Sequence, residues 1–390
     1  MLRWLAVNVQ GAVVAHLPAL VLGGPLRRTM GRIESQSASL TVDAKTDPDW
    51  AAAVEPFRGA LIAYDGEPGY ESVVWGGIVT HTTRDLSNVV RLSLASFEAY
   101  LDRRYVGDYT RTGWPQSAIV SDLIALFGGG DWAINVNILD RGRPRDRTYT
   151  DIADKTLFSA LTELAGVIGG PQWMMGWRWV RDPDSITPVL TVGTRIGAAV
   201  QPGMSPAAMF TTEMLTDFAL DVDYGPGKGA NVGTATSSAQ GDTRLQRTAS
   251  VVQPGRPPIE YRWSPSSSIT NPATLQAHAE QAVAVLKDGA QTVAFTAAVA
   301  AAPRVGVDWD LGDDIGYRVT SPTVGLTPGR PATGSGAGSV IPRTIPYAIG
   351  AGFVPATPDT YGVIEGVAQC IGYDVTPTTI TPYLAADGSF

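Results

Sequence analysis

Residues 306–319 read GVDWDLGDDIGYRV and place Asp308, Asp310, Asp313 and Asp314 within seven positions. Clustered carboxylates bind cations or work as paired acids and bases. They also decorate the wet face of a strand. Calcium loops of the D-x-D-x-D-G type hold oxygens at fixed offsets around a tight glycine turn, and Leu311 and Gly312 break that spacing. Val305, Val307, Trp309 and Leu311 alternate with Gly306, Asp308, Asp310 and Gly312. Such a period of two predicts a strand with Asp308 and Asp310 on its solvent- or subunit-facing side. A turn is expected at Gly312-Asp313, after which Ile315, Tyr317 and Val319 resume the alternation. The stretch DFALDVDYG, with Asp217, Asp221 and Asp223, fails the calcium test in the same way. No metal and no cofactor is expected.

Other chemistry is sparse. His16, His81 and His278 lie far apart and outside any H-E-x-x-H pattern, and no G-x-S-x-G elbow occurs, so neither a metalloprotease nor a serine hydrolase is indicated. GPGKGANVG follows Lys228 with Gly229 where a phosphate-binding loop needs Ser or Thr; a turn is predicted. RGRPRDR carries Arg141, Arg143, Arg145 and Arg147. Its R-G-R-P core resembles a minor-groove hook, but Asp140 and Asp146 flank it. An exposed loop that pairs with carboxylates of a neighbouring subunit fits better. WMMGWRWV offers Trp173, Trp177 and Trp179 for packing or, less readily, for stacking sugars. Asp182 and Asp184 would serve a glycosidase only across a cleft. Cys370 is the single cysteine, read as a small buried hydrophobe. No catalytic residue is expected.

The composition sets further bounds. Net charge is −8, with 15 basic and 16 acidic side chains in residues 1–150 and 14 and 21 in the rest. A protein that grips nucleic acid carries a basic footprint instead. Charged residues make up only 17%, while 43 Gly and 28 Pro accompany a 44% apolar share. This balance predicts many short strands joined by turns around real cores. At the N-terminus Leu5, Val7 and Val9 alternate with Ala6, Asn8 and Gln10, which reads as a strand and not as a signal peptide. No stretch approaches the ~18 apolar residues of a membrane span.

The elements fall into four regions. Residues 1–110 read as strands with one short helix at Asp47-Pro48 to Ala53, a first β-barrel that a strand from about 205–236 is a candidate to complete. Residues 111–204 read as an α+β middle domain. There Pro115 opens a helix that Gly128 stops, and Asp154 is the expected cap of a second helix lined by Leu157, Phe158, Leu161, Leu164 and Ile168. QWMMGWRWVRD and PVLTVGT then form a hairpin. Residues 205–289 are connecting strands and a helix that Asn271 caps, Pro272 starts and Gly289 ends. Residues 290–390 are a second barrel interrupted by a Pro/Gly-rich insertion at about 321–360.

This layout resembles the baseplate hub or tail-tip proteins of tailed bacteriophages, the minor tail proteins of actinobacterial phages among them. Three features carry the likeness. VVWGGIVTHTTRDLSNVVRLSLASFEAYLDRRYVGD is a strand pair and a short helix at the exit of the first barrel. TLFSALTELAGVIGGPQWMMGWRWV is a helix leading into an aromatic hairpin. VDWDLGDDIGYRV, followed late by GVAQCIGYDVTP, is a barrel strand with a G-D turn. The resemblance implies a mainly β chain with an α+β insert: two β-barrel domains of phage hub type and a helix-containing middle domain. It implies a non-enzymatic virion subunit, three copies of which close a ring at the end of the tail tube. Distal tail, tape-measure or tail-tip proteins would be its partners, and DNA would pass through the lumen without stable binding. Arg141, Arg143, Arg145, Arg147, Asp308 and Asp310 are the expected subunit-interface residues. A cell-envelope carbohydrate-binding or glycan-degrading tail protein is the alternative.

Overall fold

The computed structural model describes residues 2–18, 20–66, 71–167, 169–181, 184–201, 203–237, 245–265, 269–327 and 360–385. The first hundred residues supply β1 (Arg3–Asn8), β2 (Val13–Leu17), β3 (Val21–Leu22), β4 (Leu26–Thr29), β5 (Ser35–Thr41), β6 (Gly59–Asp65), β7 (Ser72–Thr83) and β8 (Val89–Ser96). The short helix α1 (Trp50–Ala53) forms where Asp47-Pro48 predicts it. Seven of these strands make one antiparallel sheet, β2-β1-β6-β7-β8-β5-β3.

Both faces of this sheet are covered. Along β1 and β6, Leu5, Val7, Ala60, Ile62 and Tyr64 point to one core. Trp4, Ala6, Leu61 and Ala63 point to another, which the sheet wraps together with α1. Double-sided burial explains why ALIAY reads as a continuous apolar run and not as a clean alternation. The exception is β4. Gly23-Gly24-Pro25 takes the chain off the sheet, and β4 pairs instead with a strand near the C-terminus.

The middle region contains α2 (Glu98–Leu101), β9 (Tyr109–Pro115), α3 (Gln116–Phe127), β10 (Asn135–Ile138), β11 (Pro144–Tyr149), α4 (Leu157–Ala165), β12 (Gln172–Arg181) and β13 (Asp184–Gly193). The helix expected from Pro115 to Gly128 is α3, with Ile119, Val120 and Leu123 fully buried. The cap of α4 is Thr156, whose hydroxyl accepts from Ser159 N at 3.1 Å. Asp154, the expected cap, ends the preceding 3-10 turn in the left-handed region at φ 46°. Hairpin β12–β13 has the register Gln172↔Gly193 to Arg181↔Asp184, and β10 adds to it in parallel. Strands β9 and β11 form a separate two-stranded ribbon. Apolar side chains of α3, α4 and β12–β13 join the outer face of β1 and β6 in the most extensive core.

The remaining elements are β14 (Ala208–Thr211), β15 (Leu215–Asp223), β16 (Val232–Ser237), β17 (Leu245–Ser250), β18 (Glu260–Trp263), α5 (Pro272–Leu286), β19 (Ala290–Ala298), β20 (Asp314–Thr327), β21 (Thr360–Val375) and β22 (Thr379–Leu384). A second seven-stranded sheet has the order β14-β20-β21-β22-β19-β15, with β4 also on β21. Its core gathers Phe210, Phe295, Trp309, Ile315 and Tyr373. Residues between β15 and β19 fold as a small sheet, β17-β16-β18, against α5. The strands between 208 and 237 therefore all pair away from the first sheet: β14 with β20, β15 with β19, β16 with β17 and β18. Helix α5 matches its sequence signals. Asn271 accepts from Ala273 N at 2.8 Å, Pro272 is the first residue, and Gly289 follows the end at φ 78°. Of the insertion at about 321–360, residues 328–359 lie outside the described residues. Among the described residues no helix is long and apolar enough to cross a membrane. The chain is thus mainly β with an α+β middle part.

Candidate functional site

The aspartate-rich stretch is not a strand before Asp314. Gly306 at φ 74° and Gly312 at φ 101° sit in the left-handed region, which glycine enters without steric penalty, and they fold residues 305–313 into successive turns. The alternation of the sequence survives as burial: Val305, Trp309 and Leu311 enter the core, while Val307 is 49% exposed. The carboxylates cap these turns. Asp308 Oδ2 accepts from Arg304 N at 2.7 Å, Asp310 Oδ1 from Leu311 N at 2.7 Å, and Asp313 Oδ2 from Asp310 N at 2.9 Å. Asp313 Oδ1 and Asp314 Oδ2 reach out to Ala198 N and Val200 N, each at 2.7 Å. Carboxylates spent on separate backbone donors do not converge. No group of three or more His, Cys, Asp or Glu among the described residues is placed to hold a metal ion.

The other sequence candidates are also dispersed. Lys228 pairs with Asp223 at 2.6 Å, in a turn that Asp223 caps at Gly225 N. His16, His81 and His278 lie on β2, β7 and α5. Trp173 is buried against Phe158, Trp177 packs on Phe97 and Trp132, and Trp179 meets Tyr64 edge-on at 5.2 Å. These rings weld the β12–β13 hairpin to the first sheet. The Gly-Gly after Trp75 permits it, because a Cβ on Gly76 would lie 2.2 Å from Trp177 Nε1. Asp182 lies outside the described residues.

The arginine run spans a loop and a strand. Arg141 and Arg143 are exposed, and their carbonyls accept from Ser117 N and Gln116 N at the start of α3. Arg145 and Arg147 are half-buried on β11. Asp308 and Asp310 keep 42% and 47% of their side-chain surface but already face Arg304 and Arg28. No ion pair joins the arginine run to these two aspartates among the described residues.

A polar junction that the sequence did not announce connects the three parts. β4 carries two arginines on opposite faces. Arg27 forms a fork with Asp374, Nε to Oδ1 and Nη2 to Oδ2, both 2.7 Å. Arg28 is only 15% exposed at its side chain. Its Nη1 donates to Asp310 Oδ1 at 3.1 Å and Tyr373 OH at 3.3 Å, and Nη2 donates to Met175 O at 3.2 Å. Tyr373 OH donates on to Val74 O at 2.8 Å. One guanidinium therefore touches the second sheet, the aspartate turn and the middle hairpin, from a strand that the N-terminal region contributes to the second sheet. Glu98 lies beside it, 4% exposed, and accepts from Met175 N at 3.3 Å. A cavity of about 20 Å³, lined by Arg28, Glu98, Met175 and Trp177, adjoins both; this is room for about one water. Burial pushes the Glu98 carboxyl up to about 7, against the pull of its hydrogen bonds and of the Arg28 charge. Burial likewise pushes the Tyr373 phenol up to about 12. The only sequence signal is the pair Arg27-Arg28 just after Gly-Gly-Pro-Leu.

No protein-family model matches the chain, and no curated protein matches it. Solved structures do. A tail protein from Neisseria meningitidis MC58 superposes with a TM-score of 0.52 at 14% identity, covering 99% of this chain and 97% of that one. The 43 kDa tail protein of prophage MuSo2 from Shewanella oneidensis superposes at 0.51 and 11% identity, covering 98% of each chain. At such identities the likeness is one of fold. It runs from end to end and agrees with the hub-type architecture expected from the sequence.

Proposed function

We propose that the chain is a structural subunit of a phage tail hub, three copies of which form a ring that closes the distal tail tube and joins it to the tip. The observation that carries this reading is the shared fold with two tail proteins over nearly the whole of both chains. Two seven-stranded sheets in one subunit also suit the role. Three copies would present six sheets, which lets a threefold ring face a sixfold tube. The junction at Arg28 fits a part that must transmit load, since it ties the second sheet to the middle hairpin and, through Tyr373 OH on Val74 O, to the first sheet. A net charge of −8 suits a lumen through which DNA slides without being held. In this reading the chain works in the virion, beside distal tail and tape-measure or tip proteins, and performs no catalysis. Its domains would be the first sheet, the α+β middle and the second sheet, the last taking β14 and β15 from the 205–289 connection, whose small sheet and α5 form a fourth part. Arg141, Arg143, Arg145, Arg147, Asp308 and Asp310 would lie toward subunit boundaries.

Light scattering over a wide concentration range, with electron microscopy of the peak, tests this. A particle of three masses with a central hole is expected. A monomer at every concentration, alone and with its tail partners, refutes the reading.

A further inference from the structure

Strand β15 is the last strand of the second sheet, with β19 on one side and no strand on the other among the described residues. An open edge presents backbone N–H and C=O groups that natural proteins cover or guard; on this nine-residue strand Phe218 N is met by Asp217 Oδ1 at 2.9 Å. Phe218, Leu220 and Val222 alternate along it, and Leu220 and Val222 are 38% and 46% exposed. It has no proline, lysine or arginine. Its guards are Asp217, Asp221 and Asp223 on the alternate positions. Like charges directly opposite each other destabilise a strand pair, so this edge rejects a second β15 and favours a basic strand.

Such a strand exists in the same chain. Arg143, Arg145 and Arg147 repeat every second residue into and along β11, and the one acid among them, Asp146, falls on the other face. β11 belongs to a two-stranded ribbon, so its outer edge has no strand partner among the described residues either. Arg147 is turned into its own chain, with Nε and Nη2 buried and Nη1 donating to Asp146 O at 3.2 Å, and Asp223 is held by Lys228; exposed Arg143 at the head of β11 and exposed Asp221 on β15 are the charges this contact would join. Within one chain the two edges do not pair. β11 pairs with β9 and its Tyr149 OH donates to Ala160 O of α4 at 3.3 Å, while β15 pairs with β19 beside the core around Phe295.

The geometry points to β-strand pairing between copies, the open edge of β15 on one subunit against the open edge of β11 on the next. This rests on the hub reading and supplies its contact. The two surfaces differ, so the contact is heterologous, and a rotation that closes it makes a ring.

Two variants, each adding one cysteine, test it, Leu220→Cys and Thr148→Cys, on the faces opposite the aspartates and the arginines. Cys370 is fully buried and its thiol is pushed up to about 12 by burial, so it stays silent. The variants are mixed, one carrying a size tag, and treated with a short bis-maleimide. Cross-links joining one variant to the other are expected. Asp221→Arg should weaken assembly at least tenfold, and Arg143→Asp in the same chain should restore it. A ring that persists in Asp221→Arg and yields no mixed cross-links overturns the strand pairing and leaves the hub reading intact. Cross-links only between Leu220→Cys copies also overturn it. A wild-type chain that never assembles overturns both.

Discussion

Replacing Glu98 by Gln isolates the electrostatics of the junction. In the folded chain the carboxyl is 4% exposed and makes no ion pair among the described residues. Arg28 acts on it through its field while its own hydrogen bonds go to Asp310, Tyr373 and Met175. Burial wins, and the carboxyl titrates at about 7 instead of 4.5. The folded state therefore binds the proton more tightly than the unfolded state. Stability is greatest below pH 4.5, falls as the pH rises to about 7, and is level above that. Each tenfold change in proton affinity is worth about 1.4 kcal/mol, so the total loss is about 3 kcal/mol between the ordinary 4.5 and about 7. Gln keeps the shape, can accept from Met175 N, and has no charge to bury. Urea unfolding of both proteins at pH 5 and pH 8 reads the difference. Near pH 5 the two should be close, and at pH 8 the Gln variant should be more stable by up to about 3 kcal/mol. If Arg28 needs the carboxylate as a partner, Gln will instead destabilise at pH 8. Breaking a buried pair costs about 3–5 kcal/mol, so the opposite sign would be plain and would refute the reasoning.

Gly76→Ala places a Cβ 2.2 Å from Trp177 Nε1; overpacking of this kind costs about 1–3 kcal/mol, measured as a lower denaturant midpoint. Asn271→Ala removes the carboxamide that accepts from Ala273 N at the start of α5. A loss of about 1 kcal/mol is expected, visible as faster hydrogen exchange in α5 and in β16–β18, with β20–β21 unaffected.

Legibility followed the range of the interactions. Asn271, Pro272 and Gly289 act within a few residues of where they stand, and α5 could be bounded from them. The β12–β13 hairpin was readable because its aromatic and β-branched residues flag adjacent strands. The turns at 305–313 carry the sequence pattern of a strand, since Val305, Trp309 and Leu311 bury from a loop as they would from a strand. Only the left-handed glycines distinguish the two, and a glycine in a sequence does not display its φ. The arginine run and the aspartates stood out as types, but not the partners they find. The junction was invisible for a deeper reason. Arg28 and Tyr373 are 345 positions apart, and nothing local says that β4 joins β21 and not the strands around it in sequence.

The two hairpins of the second sheet share one design. β15 and β19 pair from Leu215↔Ala297 to Asp223↔Ala290, and everything between them emerges beyond that last rung. β20 and β21 likewise pair out to Thr327↔Thr360, and the intervening chain departs from there. Closing a loop twice as long costs only about 0.6 kcal/mol more, so the length of chain between the strands weighs little against either ladder. The second sheet thus has two turns at which residues can be added or removed without redrawing the ladders beneath them.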